Sequence, residues 1–417
     1  MHETLLGLIR CPFCGTQLSL VNNQALSRHG ADIESGLLGC ECCAFPIVSG
    51  IPLLTANEQT KEAINALETG HTETALLALL GVSGDSVRTK ALLELLADRN
   101  SPTFREAIGI LSNDAESTYF IHRFSDPTYV AAESILWSLA GAPRKTPFRA
   151  LDLCGGIGQL TRVLTRTVDN SPPISTVLCD LEFWKLWLAY RFIVPQCSPI
   201  CCDANSPLPF TSDAFSMVLL SDAFPYIWHK RLLADEMLRV SEPEGVIVMP
   251  HLHNGLGENF SAGDTLTPRA YQQLFAHYQA RLFSDADLLS NLVDHEIVDL
   301  SQDITPDALG SEPSMTLIAS RMKNVFRPYQ IPKILLGDET LQVNPLYRVE
   351  SSSNGSVLTL TFPSSDYEKE FGECRRYLPT TVRVSVDLRD GISPEMFGVD
   401  YPDLRRRRVI IDVPKEW

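Results

Sequence analysis

The sequence predicts an α/β protein built on an open, mostly parallel sheet. A cysteine-bearing N-terminal segment, a helical insert and a β-rich C-terminal appendage flank that sheet. Three observations predict this. Apolar strand segments alternate with helical stretches from Phe148 to about Arg321, the pattern of parallel strands joined by crossover helices. The first strand runs into a glycine-rich turn, Cys154-Gly155-Gly156-Ile157-Gly158, and then a helix. Two cysteine clusters, Cys11-Pro12-Phe13-Cys14 and Cys40-Glu41-Cys42-Cys43, stand apart near the N-terminus.

A chain of 417 residues exceeds one ordinary domain. Hydrophobic residues at 44% and charged residues at 21% describe a globular protein rather than a disordered or fibrous one. No apolar run reaches the ~18–20 residues that span a bilayer. Met1-His2-Glu3-Thr4 does not open a signal peptide, so a cytoplasmic location is expected, without membrane association. The net charge of -16 argues against a large nucleic-acid footprint, which needs a basic surface. The one dense basic run, Arg405–Arg408, reads as a solvated turn before the final strand.

Residues 1–57 read as short strands joined by turns, and five of the eleven cysteines lie in the first 43 residues. In a cytosolic protein paired cysteine knuckles indicate metal rather than disulfides. Cys-x2-Cys, a long loop and a second Cys-x2-Cys is the spacing of a tetrahedral Zn(II) ribbon. The expected ligands are Cys11, Cys14, Cys40 and Cys43. Cys42, inside the second knuckle, substitutes only with altered geometry. Residues 58–146 are a helical connector or lid, with Leu and Ala at helical spacing in Ala63–Leu67, Ala75–Leu80 and Ala91–Leu96 and a further helix near Thr128–Leu139. Asn100-Ser101-Pro102 breaks the run, and Gly141-Ala142-Pro143 stops the last helix. Residues 147–322 form the α/β core. Residues 323–417 form the appendage, with strands at Tyr347–Glu350, Val357–Phe362 and Val382–Asp387 and a turn at Asn354-Gly355.

The glycine loop by itself admits two cofactors, because glycines let the backbone approach any ligand closely. A dinucleotide fingerprint requires a third glycine or alanine, and that position is Thr161. Asp152, just before the loop, would also set a negative charge near a pyrophosphate. S-adenosylmethionine (SAM) carries an ammonium and a sulfonium, for which an acid is useful. The following strand tips decide between them. Val177-Leu178-Cys179-Asp180 ends in an acid placed for ribose hydroxyls. Cys202-Asp203-Ala204 offers one for an adenine amino group, and the fourth strand exits at Ser221-Asp222.

These motifs, in this order and spacing, make residues 148–322 resemble a class I SAM-dependent methyltransferase of the small-molecule type. The resemblance implies a Rossmann-like seven-stranded core with an antiparallel last strand. Glu296–Leu300 and Met315–Ser320 would be its final hairpin. It implies a cofactor set of Asp152, Cys154, Gly155, Gly156, Gly158, Asp180, Leu181, Asp203, Ala204 and Ser221. The sequence departs from the family where Cys154 replaces the loop's first glycine and Ser216 replaces the acid that often opens the fourth strand. The cysteine segment, with its tail Phe45–Leu54, resembles the zinc-ribbon proteins that activate tRNA and protein methyltransferases. Here it is fused in cis, with a structural or docking role for its zinc.

The acceptor is expected at the strand ends, near Ser221, Asp222, Phe224, Tyr226 and His251-Leu252-His253-Asn254. His251 and His253 share a face of an extended chain, and either can accept a proton from a hydroxyl or amine. Asp222, His251 and His253 are therefore the candidate catalytic residues. Trp184, Trp187 and Tyr190 are read as core, with Phe183 near adenine, and His229 has no clear place. Adjacent Cys201 and Cys202 are a poor spacing for a second metal. The function expected is methyl transfer to a small molecule, such as a specialised metabolite. An rRNA or tRNA methyltransferase is the alternative, disfavoured by the charge and by Ser221-Asp222-Ala223-Phe224 where an Asn-Pro-Pro-Tyr-like motif would stand. A non-catalytic docking scaffold is the third reading. A protein partner or homodimer would use the ribbon or the appendage.

Overall fold

The computed structural model describes all residues except 98–101, 113, 142–146, 168–174, 258–262, 332–339, 354 and 389–391. The N-terminal strands are β1 (Ser19–Val21), β2 (Ser27–His29), β3 (Asp32–Gly39), β4 (Ala44–Val48) and β5 (Ile51–Pro52). They pair antiparallel in the order β1-β3-β4-β5, with β2 also on β3. Six helices follow: α1 (Glu58–Glu68), α2 (Thr72–Leu79), α3 (Ser86–Ala97), α4 (Phe104–Leu111), α5 (Asp114–His122) and α6 (Pro127–Ala140). α1, α2, α3 and α6 fall on the helical spacings read from sequence, and α4 and α5 are further helices between them. Local chemistry starts three of the six, α1 through the Asn57 side chain, which accepts the Thr60 N–H at 2.8 Å. Thr103 and Glu106 form a capping box on α4, and Asp126 caps α6 by accepting the Tyr129 N–H at 2.7 Å. Gly141 is the C-cap of α6. Ala142, Pro143, Asn100 and Ser101 of the expected breaks lie outside the described residues.

The core runs β6 (Ala150–Leu153), α7 (Gln159–Thr167), β7 (Thr176–Asp180), α8 (Phe183–Leu188), β8 (Ser198–Cys201), β9 (Phe215–Leu220), α9 (Lys230–Val240), β10 (Ser241–His253), α10 (Pro268–Leu274), β11 (Gln279–Ser284), α11 (Asp285–His295), β12 (Ile297–Asp299) and β13 (Ser314–Ser320). Seven of these strands make one sheet in the order β11-β13-β10-β9-β6-β7-β8, with β13 antiparallel to both neighbours. The chain winds to opposite sides of β6, and that reversal opens a crevice beyond the strand ends. β6 and β9 are buried along their whole lengths, as near-continuous apolar runs require.

The closing hairpin differs from the one expected from sequence. β11, not Glu296–Leu300, pairs with β13, while β12 pairs with β14 (Pro328–Gln330) outside the sheet. β11 buries Leu282, Phe283 and Ser284, whereas β12 buries only Val298. The segment with more surface to bury takes the place in the sheet.

The ribbon is joined to the edge of this sheet. Leu53 bridges Cys201 in parallel, and the Leu54 N–H donates to the Cys201 carbonyl at 2.8 Å. Leu5, Ile9, Phe45 and Leu54 share an apolar cluster with Val177, Ile200 and Phe215 of the core. Ribbon and core therefore have one hydrophobic interior.

The C-terminal part holds β15 (Thr340–Val343), β16 (Tyr347–Ser352), β17 (Gly355–Leu360), α12 (Ser365–Phe371), β18 (Thr381–Val384) and β19 (Ile410–Val413). β16 and β17 form the expected hairpin, paired up to Ser352 and Gly355; Asn354 of its turn lies outside the described residues. The Arg405–Arg408 run is not simply a solvated turn. Arg405 and Arg406 end a short helix, and Arg408 pairs with Glu133 of α6. The tail then returns to the core. Asp412 lies 2.6 Å from Arg166 and 3.4 Å from Arg162, both on α7, and Trp417 stacks on Phe104 with ring centres 4.5 Å apart.

Asp412 is buried between those two guanidiniums. Asp412→Ala removes one anion from a buried network and is expected to cost about 3 kcal/mol, read as a lowered midpoint of urea unfolding.

Candidate active site

Asp152 lies on the central strand with β9 on one side and β7 on the other, 1% exposed. The Thr161 hydroxyl of α7 donates to its Oδ2 at 2.6 Å. Among the described residues it has no ion-pair partner within 4 Å. Burial pushes its carboxyl up to about 7; the Thr161 bond opposes this in part, and the nearby Asp180 charge adds to it. A shift of that size corresponds to about 4 kcal/mol against the ionised form.

The loop after it is fixed by space as much as by conformation. A Cβ on Gly155 would stand 2.5 Å from Leu178 Cδ1 and 2.7 Å from Asp152 Cγ. Gly158, at φ +79°, would meet Val194 Cγ1 at 2.9 Å. Cys154 sits at φ 54°, a left-handed conformation that glycine would adopt freely, and packs against the apolar layer of the sheet. Asp180, at the tip of β7, accepts the Gly156 N–H at 2.9 Å and the Glu182 N–H at 3.0 Å, so it is held against the loop.

Beside this cradle is a cavity of about 240 Å³ lined by Leu181, Cys202, Asp203 and Ser206 of the core and by Pro12, Phe13, Leu54 and Thr55 of the ribbon. Asp203 accepts the Asn205 N–H at 2.8 Å, and Ala204 is buried. The sequence reading missed Pro12 and Phe13, because nothing in a metal knuckle says what it will lie against. A larger cavity of about 860 Å³ lies between α6, α11 and the C-terminal part. Its arginines are engaged, Arg162 and Arg166 by Asp412 and Arg406 by Asp403.

The ribbon's sulfurs converge, though not as the spacing suggested. Cys11, Cys14, Cys40 and Cys42 have Sγ atoms all within 4.8 Å of one another. Cys42 takes the place expected for Cys43. The Cys43 backbone N–H instead lies 3.2 Å from Cys40 Sγ, and its own sulfur is 3.4 Å from Cys42. The pairs Cys11–Cys42, Cys14–Cys40 and Cys40–Cys42 are separated by 3.8, 3.7 and 3.6 Å.

The second constellation lies beyond β9 and β10. β10 shifts register between Met249 and Leu252, and His251 turns to φ 57°. That irregularity buries Leu252 and leaves the His251 and His253 rings edge to face, 4.8 Å apart. Asp222, at φ 60°, lies with Oδ1 3.4 Å from His253 Nε2. Two non-glycine residues in left-handed conformations at one place is strain of the kind stored at functional sites. Burial disfavours the His251 cation, but the bond to Asp285 and the charge of Asp222 outweigh it and raise the imidazole to about 9. Asn254 belongs to the scaffold: its amide donates to the carbonyls of Leu309, Gly310 and Glu312. Phe224 is core, Tyr226 is exposed, and His229 precedes α9. Cys201 donates to the Leu181 carbonyl and does not join the histidines.

Three further residues reach this constellation from distant segments. The Tyr119 hydroxyl of α5 donates to Asp222 Oδ2 at 3.3 Å. Arg123, paired with Asp126 at 2.9 Å, and Glu370 of α12 both interact electrostatically with Asp222. No periodicity or motif marks them. They become visible only once the insert and the C-terminal part fold over the strand ends.

A raised carboxyl stabilises the fold below its unfolded value of about 4, and that contribution is lost as pH climbs through the folded value near 7. Asp152→Asn is therefore expected to match the wild type near pH 4 and to be about 4 kcal/mol more stable at pH 8, checked by urea unfolding at both. Gly155→Ala should lose about 2 kcal/mol at either pH by overpacking.

No protein-family model matches the chain, and no curated protein matches it. Solved structures do. The complex between the Haloferax volcanii Trm112 methyltransferase activator and a methyltransferase aligns at 16% identity over 52% of this chain and 97% of that one, with a TM-score of 0.37. A Haemonchus contortus phosphoethanolamine N-methyltransferase, bound to phosphomonomethylethanolamine and S-adenosylhomocysteine, aligns at 15% identity over 53% and 60%, with a TM-score of 0.38. A Thermotoga maritima SAM-dependent methyltransferase aligns at 11% identity over 52% and 100%, with a TM-score of 0.33.

Proposed function

We propose that the chain is a SAM-dependent methyltransferase acting on a small-molecule acceptor. The observation that carries this reading is the Asp152 carboxylate, buried in a glycine cradle at a strand end without an ion-pair partner. A cationic ligand relieves the cost of ionising it, whereas a pyrophosphate would add to it. SAM supplies a methyl group on a sulfonium, ready for in-line displacement. The residues of this chain bind and orient it. Asp152 faces its ammonium across the loop Cys154–Gly158. Asp180 accepts from the ribose hydroxyls. Leu181, Asp203, Ala204 and the ribbon's Phe13 surround the adenine. Ser221, Asp222, His251 and His253 receive the acceptor, and positioning supplies most of the rate. A small acceptor is favoured over RNA because Asp222, Asp285 and Glu370 would repel phosphates.

Zinc in the ribbon is part of the same proposal. Bonds of ~2.3 Å in a tetrahedron place sulfurs about 3.8 Å apart, close to the three separations given above. Cys11, Cys14, Cys40 and Cys42 would hold the ion, with the Cys43 amide steadying the Cys40 thiolate. Four protein ligands leave no open position, so the role is structural.

Calorimetry with SAM tests the main reading. Asp180→Ala is expected to weaken binding at least tenfold, about 1.4 kcal/mol, while His253→Ala leaves affinity within about twofold and abolishes turnover. A wild-type chain that binds no SAM at millimolar concentration sinks the proposal. For the ribbon, Cys42→Ser should lose zinc and Cys43→Ser should retain it, measured by metal analysis; the reverse result restores Cys43 as ligand.

A further inference from the structure

We infer that Asp222, His251 and His253 form a binding site for a divalent transition-metal ion, separate from the ribbon. Each offers a ligand atom, and the three atoms lie within 4.8 Å of one another. The 3.4 Å between Asp222 Oδ1 and His253 Nε2 is already the separation that bonds of about 2.1 Å produce around one ion. The His251 ligand atom lies within 4.8 Å of both.

The surroundings orient these groups as ligands. His251 Nδ1 is 3.1 Å from Asp285 Oδ2, and the Thr316 hydroxyl donates to Asp285 Oδ1 at 2.7 Å. That chain holds the ring through Nδ1 and leaves Nε2 as the ligand atom, the carboxylate–histidine arrangement that supports bound metals. Tyr119 occupies Asp222 Oδ2 and leaves Oδ1 toward His253. A general base would need one imidazole. Here two, edge to face, share one carboxylate, and the backbone is strained at both Asp222 and His251 to bring them together.

The charge balance also favours a cation. Asp222, Asp285 and Glu370 gather at the site, where the His251 cation offsets only part of their charge and the nearby guanidinium of Arg123 is matched by Asp126; a bound ion would take the place of the His251 proton. Adjacent Ser221 has a buried hydroxyl with no hydrogen-bond partner among the described residues. Two imidazoles and one carboxylate suit Mn(II), Fe(II), Co(II) or Zn(II) rather than Mg(II) or Ca(II), and three protein ligands leave positions open. The site itself does not depend on the methyltransferase reading. Its role, seating an oxygen of the acceptor beside the methyl donor, does.

The test is titration of Co(II) into the full-length, zinc-loaded protein, followed by visible absorption. One equivalent is expected to bind with ligand-field bands and without the thiolate charge-transfer absorption that ribbon sulfurs would give. His253→Gln and Asp222→Asn should each weaken it at least tenfold, with SAM affinity retained as the sign of a folded chain. Cys43→Ser should leave it unchanged. Absence of a second equivalent, binding that shows thiolate absorption, or undiminished binding in both variants overturns the site. Cobalt binding without SAM binding would keep the metal site and sink the methyltransferase reading, and the converse would do the opposite.

Discussion

The Asp152 carboxylate, 1% exposed at the end of the central strand, imposes the constraint around which the cradle is arranged. Its two neighbouring strands exclude water, and Thr161 gives it one strong bond. Gly155 lies too close to it for any side chain to be added. Asp180, tied to the Gly156 amide, brings a second carboxylate to the same loop. The cradle thus gathers two carboxyls where desolvation opposes their ionisation, a local departure from stability of the kind that binding sites accept.

The ribbon and the sheet are one body. Main-chain pairing of Leu53 and Leu54 with Cys201 continues the sheet edge, which would otherwise expose unpaired donors and acceptors. This docking carries the first cysteine knuckle to the cavity beside Asp203. A metal-binding module that is remote in sequence from the glycine loop becomes a wall of the space next to it.

The insert and the C-terminal part close the opposite end. α5 and α12 bring Tyr119 and Glu370 toward Asp222, while Tyr377 donates to the Ser125 carbonyl at 2.6 Å and Trp417 packs on Phe104 and Phe124. These contacts tie the last residues of the chain to the insert, so the elements covering the strand ends brace one another.

The sequence by itself determined the central architecture and the cradle. Strand–helix alternation and the run from Asp152 to Gly158 are local patterns, and backbone sterics and burial read them locally. It also located both cysteine knuckles and the pair His251 and His253. Tertiary structure decided what depends on distant segments meeting. It placed Cys42 rather than Cys43 among the converging sulfurs, because the turn geometry of the second knuckle, not its spacing, aims the side chains. It put β11 beside β13, because burial on the assembled sheet favoured Leu282 and Phe283 over Val298. It brought Phe13 to Asp203, and Tyr119 and Glu370 to Asp222. No periodicity encodes such encounters, since they arise from the packing of whole elements, and the groups that surround Asp222, His251 and His253 come from them.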